Sequence, residues 1–285
     1  MKTVLMLTDF SDNAEHAAIS SSMLIEKLNV EVFLYHTYYD SPLIGAYAGG
    51  SMIIDEFTLL KKESIAKLNE LALHLRTAIV HSSPQIFHPK IDFQCGEGSL
   101  GNNVAEILKE KEIEMIVMGA SSHSTVHNLF FGSDTLSVVE NSGRPVLIIP
   151  KKDELKKISK VTLATAFELE DLNAISYLVE LSKVFEYKLE IVHVSLQGQT
   201  NNPVKEKAIQ NHIKSIQQSN ISYSEIHGKD VIKRLNNLCT ENGSDMLALV
   251  HYQHGFFSNI LRKSNAEQAV LSHRIPLMII PSGMC

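Results

Sequence analysis

The sequence VLMLTDF at residues 4–10 is an apolar run that ends in a hydroxyl and a carboxylate. It has a counterpart in VTLATAF at 161–167, and EVFLYHT at 31–37 has one in KLEIVHV at 188–194, with the same spacing of 157 residues. Self-similarity at a constant spacing is typical of a chain built from repeated structural units. The sequence therefore predicts two copies of one unit.

The later parts of the two copies also match, at a shorter spacing. MIVMG at 115–119 corresponds to MLALV at 246–250, and GRPVLIIP at 143–150 corresponds to the segment ending in LMIIP at 277–281. The change of spacing indicates one large deletion in the second copy, between its second and third strands. We expect a first domain at 1–150, a charged linker at 151–157 and a shorter second domain at 158–285.

Each copy alternates short apolar runs with stretches of helical periodicity. The runs predict strands at 3–7, 31–37, 90–94, 114–118 and 145–149, and again at 159–164, 188–194, 221–226, 245–250 and 276–280. Because most runs are apolar on both faces, they favour an α/β fold with two tandem, doubly wound, five-stranded parallel sheets. We expect the last strands, 146–149 and 277–280, to pair antiparallel as an internal pseudo-dimer, since their apolar edges must be covered.

Composition and charge restrict the class of protein. With 285 residues, 44% hydrophobic and 20% charged, the chain has the makeup of a soluble globular protein. A net charge of −6 with scattered basic residues argues against nucleic acid as a partner. The apolar runs are too short for a membrane span, the N-terminal run is too short for a signal peptide, and three widely spaced cysteines fit reduced thiols in the cytoplasm.

Polar residues follow the predicted strands where ligands bind in parallel sheets, at the carboxyl ends. Thr8 and Asp9 follow the first strand, Thr37 follows the second, and GASSHSTVHNLFFGSD at 119–134 follows the fourth. Small residues at a strand-to-helix junction leave backbone N–H groups open to an anion. His36 and His193 close equivalent apolar strands, so we expect them to make a shared structural hydrogen bond rather than to act in catalysis.

The motif TDFS at 8–11, the strand ending in His36, the GxxG-like spacing at 119–133 and the closing RPVLIIP at 144–150 together resemble the universal stress protein family. The whole chain resembles the tandem form of that family. The resemblance implies Rossmann-like domains of the adenine-nucleotide-binding type, which dimerise along their last strands and bind ATP in some members only.

The resemblance also implies a set of ligand-binding residues in the first domain. Thr8 and Asp9 would lie near the adenosine, and Thr37 beside the base. The sugar and phosphates would be surrounded by Met118, Gly119, Ser122, Gly132 and Ser133. We expect ATP, ADP or AMP there, a regulatory role in the stress response, no catalytic or metal-binding residues, and at most slow ATP hydrolysis.

An alternative hypothesis remains open: a nucleotide-free scaffold that acts through an unidentified protein partner. Ser122 replaces a glycine of the family pattern, and Asp134 places a carboxylate in the first turn of the following helix, where it would repel a phosphate. We expect the apolar connection 41–56 to be a flap beside the first-domain site or, in the scaffold, a contact surface for the partner, and a disordered crossover is the alternative. Association of two chains into a further homodimer also stays open.

The second copy lacks key members of the set. Val250 stands in the place of Gly119, Lys263 in that of Gly132 and Ala166 in that of Asp9. A β-branched side chain and a missing carboxylate are poor replacements for close backbone approach and ribose contact. We expect no nucleotide in the second domain.

Overall fold

The structure, a computed structural model, describes residues 2–38, 51–82, 88–120, 133–151, 157–196, 203–216, 218–252 and 275–284, with the side chains of 51–58 and 82 left out. Within these ranges the first half of the chain contributes five strands: β1 (Thr3–Leu7), β2 (Glu31–Tyr38), β3 (Ile91–Glu97), β4 (Ile113–Gly119) and β5 (Val146–Ile149). Its helices are α1 (Asp12–Ser20), α2 (Ser22–Leu28), α3 (Ser51–Ser82), α4 (Leu100–Glu110) and α5 (Ser133–Ser142).

The second half repeats the strands with fewer described helices. Its strands are β6 (Lys160–Thr165), β7 (Lys188–Leu196), β8 (Ile221–Gly228), β9 (Met246–His251) and β10 (Leu277–Pro281). Its helices are α6 (Asp171–Phe185), α7 (Pro203–Ser215) and α8 (Val231–Asn242). All ten predicted strands are present, each within two or three residues of its expected bounds.

The strands form one sheet in the order β3-β2-β1-β4-β5-β10-β9-β6-β7-β8. Neighbours within each half are parallel. The halves join where β10 pairs antiparallel with β5, with Leu277 opposite Ile148 and Ile279 opposite Val146. The predicted fold class and the predicted pairing of the last strands are confirmed. The domain limits remain a prediction, and 152–156 of the linker lie outside the described residues.

The helices of the first half fall into two groups. Helices α1, α2 and α3 contact one another, and α4 contacts α5. Right-handed crossovers place these groups on opposite faces, because the chain steps outward from β1 to β3 and then returns through β4 to β5. The point where the strand order reverses therefore lies between β1 and β4, and the carboxyl ends of these two strands are where such a sheet binds a ligand.

Two details of the helices differ from the sequence expectations. The apolar spacing from Ala14 to Leu28 predicts one helix, but that helix breaks at Ser21, whose hydroxyl donates to the carbonyl of Ala17 and so competes with the helical bonding of the backbone. Residues 51–56, expected in a long connection, are the first turns of α3, and 39–50 lie outside the described residues. None of the described helices is both long and apolar enough to cross a membrane.

Candidate functional site

The switch point brings together the predicted residues of β1 and β4. Leu7 is in register with Met118, so Thr8 and Asp9 follow β1 directly beside Gly119 at the end of β4. Thr37 lies at the end of β2, the strand next to β1, and is opposite Gly96 of β3. Ser133 is the first residue of α5. The remaining two predicted residues, Ser122 and Gly132, lie outside the described residues.

A tight corner connects β1 to α1. Phe10 has a φ of 61°, and its N–H donates to the Thr8 hydroxyl oxygen at 3.0 Å. One carboxylate oxygen of Asp9 accepts from the backbone N–H of Ser11 at 2.9 Å and from its hydroxyl at 2.5 Å. Asp9 is solvent-exposed, and no group in the described part of the chain bonds to its other oxygen. That oxygen is positioned to accept a hydrogen bond from a ligand.

His36 supports this corner from the neighbouring strand. Its Nδ1 donates to the Thr8 carbonyl at 2.8 Å, and its ring lies 4.3 Å from the Phe10 ring, centroid to centroid. Burial lowers the pKa of His36, although the bond to Thr8 opposes that shift. The imidazole is therefore neutral near pH 7 and acts as a brace for the loop.

The second half builds the same brace from equivalent residues. His193 donates through Nδ1 to the Thr165 carbonyl at 2.9 Å, and its ring stacks on Phe167 at 4.0 Å. Phe167 has a φ of 60°, and its N–H donates to the Thr165 hydroxyl oxygen. The predicted shared hydrogen bond of the two histidines is confirmed.

Gly119 has a packing role beside any contact with a ligand. A Cβ added there would lie 2.6 Å from the carbonyl oxygen of Asn13 and 2.8 Å from the backbone nitrogen of Ala14. The Asn13 side chain in turn donates to the carbonyl of Ala120 at 2.9 Å. The absence of a side chain at 119 thus allows the first turn of α1 to pack directly on the end of β4.

Sequence reasoning missed two residues near this edge. Asn13 carries no motif signal, because its partner Ala120 is 107 residues away. Lys67 comes from the middle of α3, and its ammonium lies 5.4 Å from the centroid of the Phe10 ring. It also contributes to the lowered pKa of His36. Lys67 therefore supplies a positive charge near a site whose own loop has none.

In the second half the equivalent corner is filled by a side chain of the protein itself. Asp171 corresponds to Ala14 in the repeat and is completely buried. Its carboxylate accepts from the backbone N–H groups of Ala166 at 3.1 Å and of Glu168 at 3.2 Å, and from the hydroxyl groups of Thr165 and Tyr252. Burial raises the pKa of Asp171, while these hydrogen bonds oppose the shift.

This carboxylate accompanies a change in helix geometry. Helix α6 begins at Asp171, two positions later in the repeat than α1, which begins at Asp12. The later start removes the helical turn that packs on Gly119 in the first half, and Val250 occupies the corresponding place on β9. Asp171 and Tyr252, which is itself buried, close the carboxyl edge of β6 and β9.

Fold and site together define an α/β protein made of two Rossmann-like units. Within the described residues, the switch point of the first carries the exposed carboxylate of Asp9, and that of the second holds the buried, fully bonded pair Asp171 and Tyr252. The sequence model of the universal stress protein family matches residues 1–150. This chain belongs to the universal stress protein family.

Relatives and solved structures agree with this membership. The chain is 28% identical to universal stress protein MJ0531 of Methanocaldococcus jannaschii over 155 residues, which cover 53% of this chain and 85% of that protein. Universal stress protein MJ0577 of the same organism is 26% identical over 161 residues, 53% of this chain and 96% of its own. A universal stress protein structure from Archaeoglobus fulgidus DSM 4304 covers 98% of both chains with a TM-score of 0.71 at 19% identity, which shows the fold across both halves.

Proposed function

We propose that this chain is a regulatory universal stress protein whose first domain binds one adenine nucleotide, ATP, ADP or AMP, and whose second domain binds none. The observation that carries the proposal is the contrast between two equivalent corners. In the second half a buried carboxylate takes up the donors of Thr165, Ala166 and Glu168. In the first half Ala14 stands at the corresponding position and offers no acceptor.

The chemistry of the first corner suits a nucleoside. The Thr8 hydroxyl accepts from Phe10 and retains its proton for an acceptor on the ligand. The free oxygen of Asp9 accepts from a ribose hydroxyl or an exocyclic amine. At the phosphate end, Ser133 opens α5, where backbone N–H groups and the helix dipole favour an anion. Ligand binding would stabilise the first domain. The regulatory role would require a partner protein that binds differently to the nucleotide-loaded and the nucleotide-free carboxyl edge of this domain.

Asp134 favours a second candidate function, a nucleotide-free scaffold that acts through a protein partner. It is an exposed carboxylate in the first turn of α5, so it interacts favourably with the helix dipole and repels a phosphate at the same place. Removing this charge separates the candidates. Asp134→Asn should strengthen nucleotide binding if the phosphates lie at this helix end, and should change nothing in a scaffold.

The test is a titration with a defined stoichiometry. Protein purified without added nucleotide is denatured and its supernatant analysed by mass spectrometry, and the nucleotide-free chain is then titrated with ATP, ADP and AMP by calorimetry. We expect one site per chain. Ala14→Asp, which transfers the second-half carboxylate to the first corner, should abolish the site, and the reciprocal Ala166→Asp should leave it intact as the matched control.

Each result has a distinct meaning. Two sites per chain would contradict the closed second domain. A titration to about 1 mM nucleotide detects binding with a dissociation constant up to about that concentration, a free energy of about −4 kcal/mol. If no binding is found there, the proposal is contradicted and the scaffold is supported. Unchanged binding in Ala14→Asp would place the nucleotide elsewhere than this corner.

A further inference from the structure

Helix α3 carries an apolar stripe on the face turned away from the protein. Leu59, Leu73 and Val80 are 55%, 63% and 53% exposed, and Ala66 between them is exposed as well. These four residues are spaced seven apart, which places them in one line along the helix. The opposite face packs on the sheet through Ser64, Leu68, Leu71, Ala72, Leu75 and Ile79. The fold of a single chain does not need an apolar stripe on the side of the helix that faces away from the core.

The length of α3 points the same way. It has 32 residues, whereas α7 at the corresponding crossover of the second half has 13. A helix of 32 residues is about 48 Å long, roughly twice the span of a strand of seven residues. Lys67, in the middle of α3, already lies beside Phe10, which follows the carboxyl end of β1, and residues 59 and 61–63 are exposed. The turns before Lys67 therefore extend past the carboxyl ends of the strands. The stripe begins on this projecting part.

After the first turn, where Asp55 and Glu56 are both acidic, the charges beside the stripe are sorted by sign. On a helix, residues three and four positions after a given residue lie on opposite sides of it. The residues three positions on are Lys62, Asn69 and Arg76, and those four positions on are Glu63, Glu70 and Thr77. One flank is thus basic and the other acidic. None of these four charged groups forms an ion pair within the described ranges.

We propose that this stripe binds a second copy of the same chain, with the two α3 helices parallel. Around a two-fold axis parallel to the helices, each flank faces the opposite flank of the other copy, so Glu63 and Glu70 would face the side of Lys62 and Arg76. An antiparallel pair would bring acidic flank to acidic flank and basic to basic. The charges on the two flanks therefore favour a second copy of this chain as the partner, and a parallel arrangement of the two α3 helices.

The pairing has a geometric consequence for the candidate site. In a parallel pair each stripe residue meets its own counterpart, from Leu59 to Val80, over about 32 Å of helix. Helix α3 leads from the carboxyl end of β2 back to the start of the parallel strand β3, so its N-terminus lies on the side of the carboxyl ends in each copy. The dimer would thus place the carboxyl ends of the strands, and with them the candidate sites, of both copies at the same end of the assembly. The dimer does not depend on nucleotide binding.

The association is tested on the full chain by sedimentation velocity and light scattering over about 1–200 µM, the range expected for one helix pair. The double variant Leu59→Glu/Leu73→Glu should raise the dissociation constant by at least about a hundredfold, because charges would be buried without partners. Its matched control is Leu169→Glu/Val184→Glu, which alters apolar residues that are 54% and 40% exposed in the second half. The control should dimerise like the wild type, and thermal unfolding of all variants checks that each is folded.

The orientation is tested by a cross-link. In a Cys285→Ser background, Ala66→Cys should form an interchain disulfide under mild oxidation, because in a parallel pair position 66 faces itself, whereas antiparallel stripes in full overlap would bring it opposite position 73. Glu63→Lys/Glu70→Lys should weaken the dimer, and adding Lys62→Glu/Arg76→Glu should restore it. A monomeric wild type, a control that dissociates as readily as the stripe variant, or a dimer that cross-links only between positions 66 and 73 would overturn the proposal.

Discussion

Replacing Gly119 with alanine should destabilise the protein, and the size of the effect follows from the local geometry. The new Cβ would lie 2.6 Å from the Asn13 carbonyl oxygen and 2.8 Å from the Ala14 nitrogen. Both neighbours are backbone atoms, and the contacts are about 0.5–1 Å shorter than ordinary van der Waals distances. The first turn of α1 cannot retreat freely, because Ser11 caps it and the Asn13 side chain is bonded to Ala120.

Overpacking of this kind costs about 1–3 kcal/mol. Alanine also reduces the entropy of the unfolded chain, which returns about 0.4–1 kcal/mol. We therefore expect Gly119→Ala to lower the free energy of unfolding by about 1.3 kcal/mol, the difference between the midpoints of these two ranges. Urea unfolding followed by circular dichroism measures it, with and without nucleotide.

The matched control is Gly283→Ala, since a Cβ there has no heavy atom within 4 Å and the backbone is not in the left-handed region. That variant should unfold within about 0.5 kcal/mol of the wild type. If Gly119→Ala is as stable as the control and instead loses nucleotide affinity, the packing argument fails and the glycine serves the ligand alone.

Three further predictions concern the polar groups at the strand ends. Asp171→Asn should change the pH dependence of stability, because the pKa of Asp171 is raised above 3.8 in the folded protein. As pH rises from 3.8 through the raised pKa, the unfolding free energy of the wild type should fall relative to that of the variant, by at most about 1.4 kcal/mol per pH unit. If the urea midpoints of the two proteins run parallel against pH, this prediction is wrong. Tyr252→Phe removes one donor to this carboxylate and should lower the unfolding free energy by about 1–2 kcal/mol, with a variant as stable as the wild type arguing against a closed corner. Asn13→Ala leaves the carbonyl of the buried Ala120 without its side-chain donor and should lower the unfolding free energy by about 0.5–1.5 kcal/mol. Scanning calorimetry would measure this as a lower thermal midpoint, and an unchanged midpoint would mean that water replaces the bond fully.

Much of the candidate site could be predicted because it follows from chain order. Thr8, Asp9, Met118 and Gly119 adjoin strands that any doubly wound sheet places side by side. A structural hydrogen bond shared by His36 and His193 was predictable, because the two histidines end equivalent strands of the repeat. Its acceptors, the carbonyl groups of Thr8 and Thr165, were not predicted.

Other features were not predictable because they depend on packing between distant segments. The sequence suggested that Gly119 admits a ligand, yet its nearest neighbour is the backbone of Asn13. In the sequence, Leu59 and Ile65 lie in one apolar stripe with Leu68, Leu71, Ala72 and Leu75, which predicts a single buried face of this helix. The docked helix buries the last four, but Leu59 and Ile65 are exposed. Spacing defines which residues share a face of a helix, and only the docked helix decides which face is buried.

By itself the sequence determined the two copies, the ten strands, the parallel direction of the strands within each half and the antiparallel pairing of β5 with β10. These features follow from local apolar periodicity and from the need to cover sheet edges, which the chain states residue by residue. Only the tertiary structure decided that the second corner is closed, because Asp171 and Tyr252 are 81 residues apart and meet through the later start of α6. A hydrogen bond between distant side chains depends on positions to within a fraction of an ångström, and sequence periodicity fixes positions only to a turn or a strand.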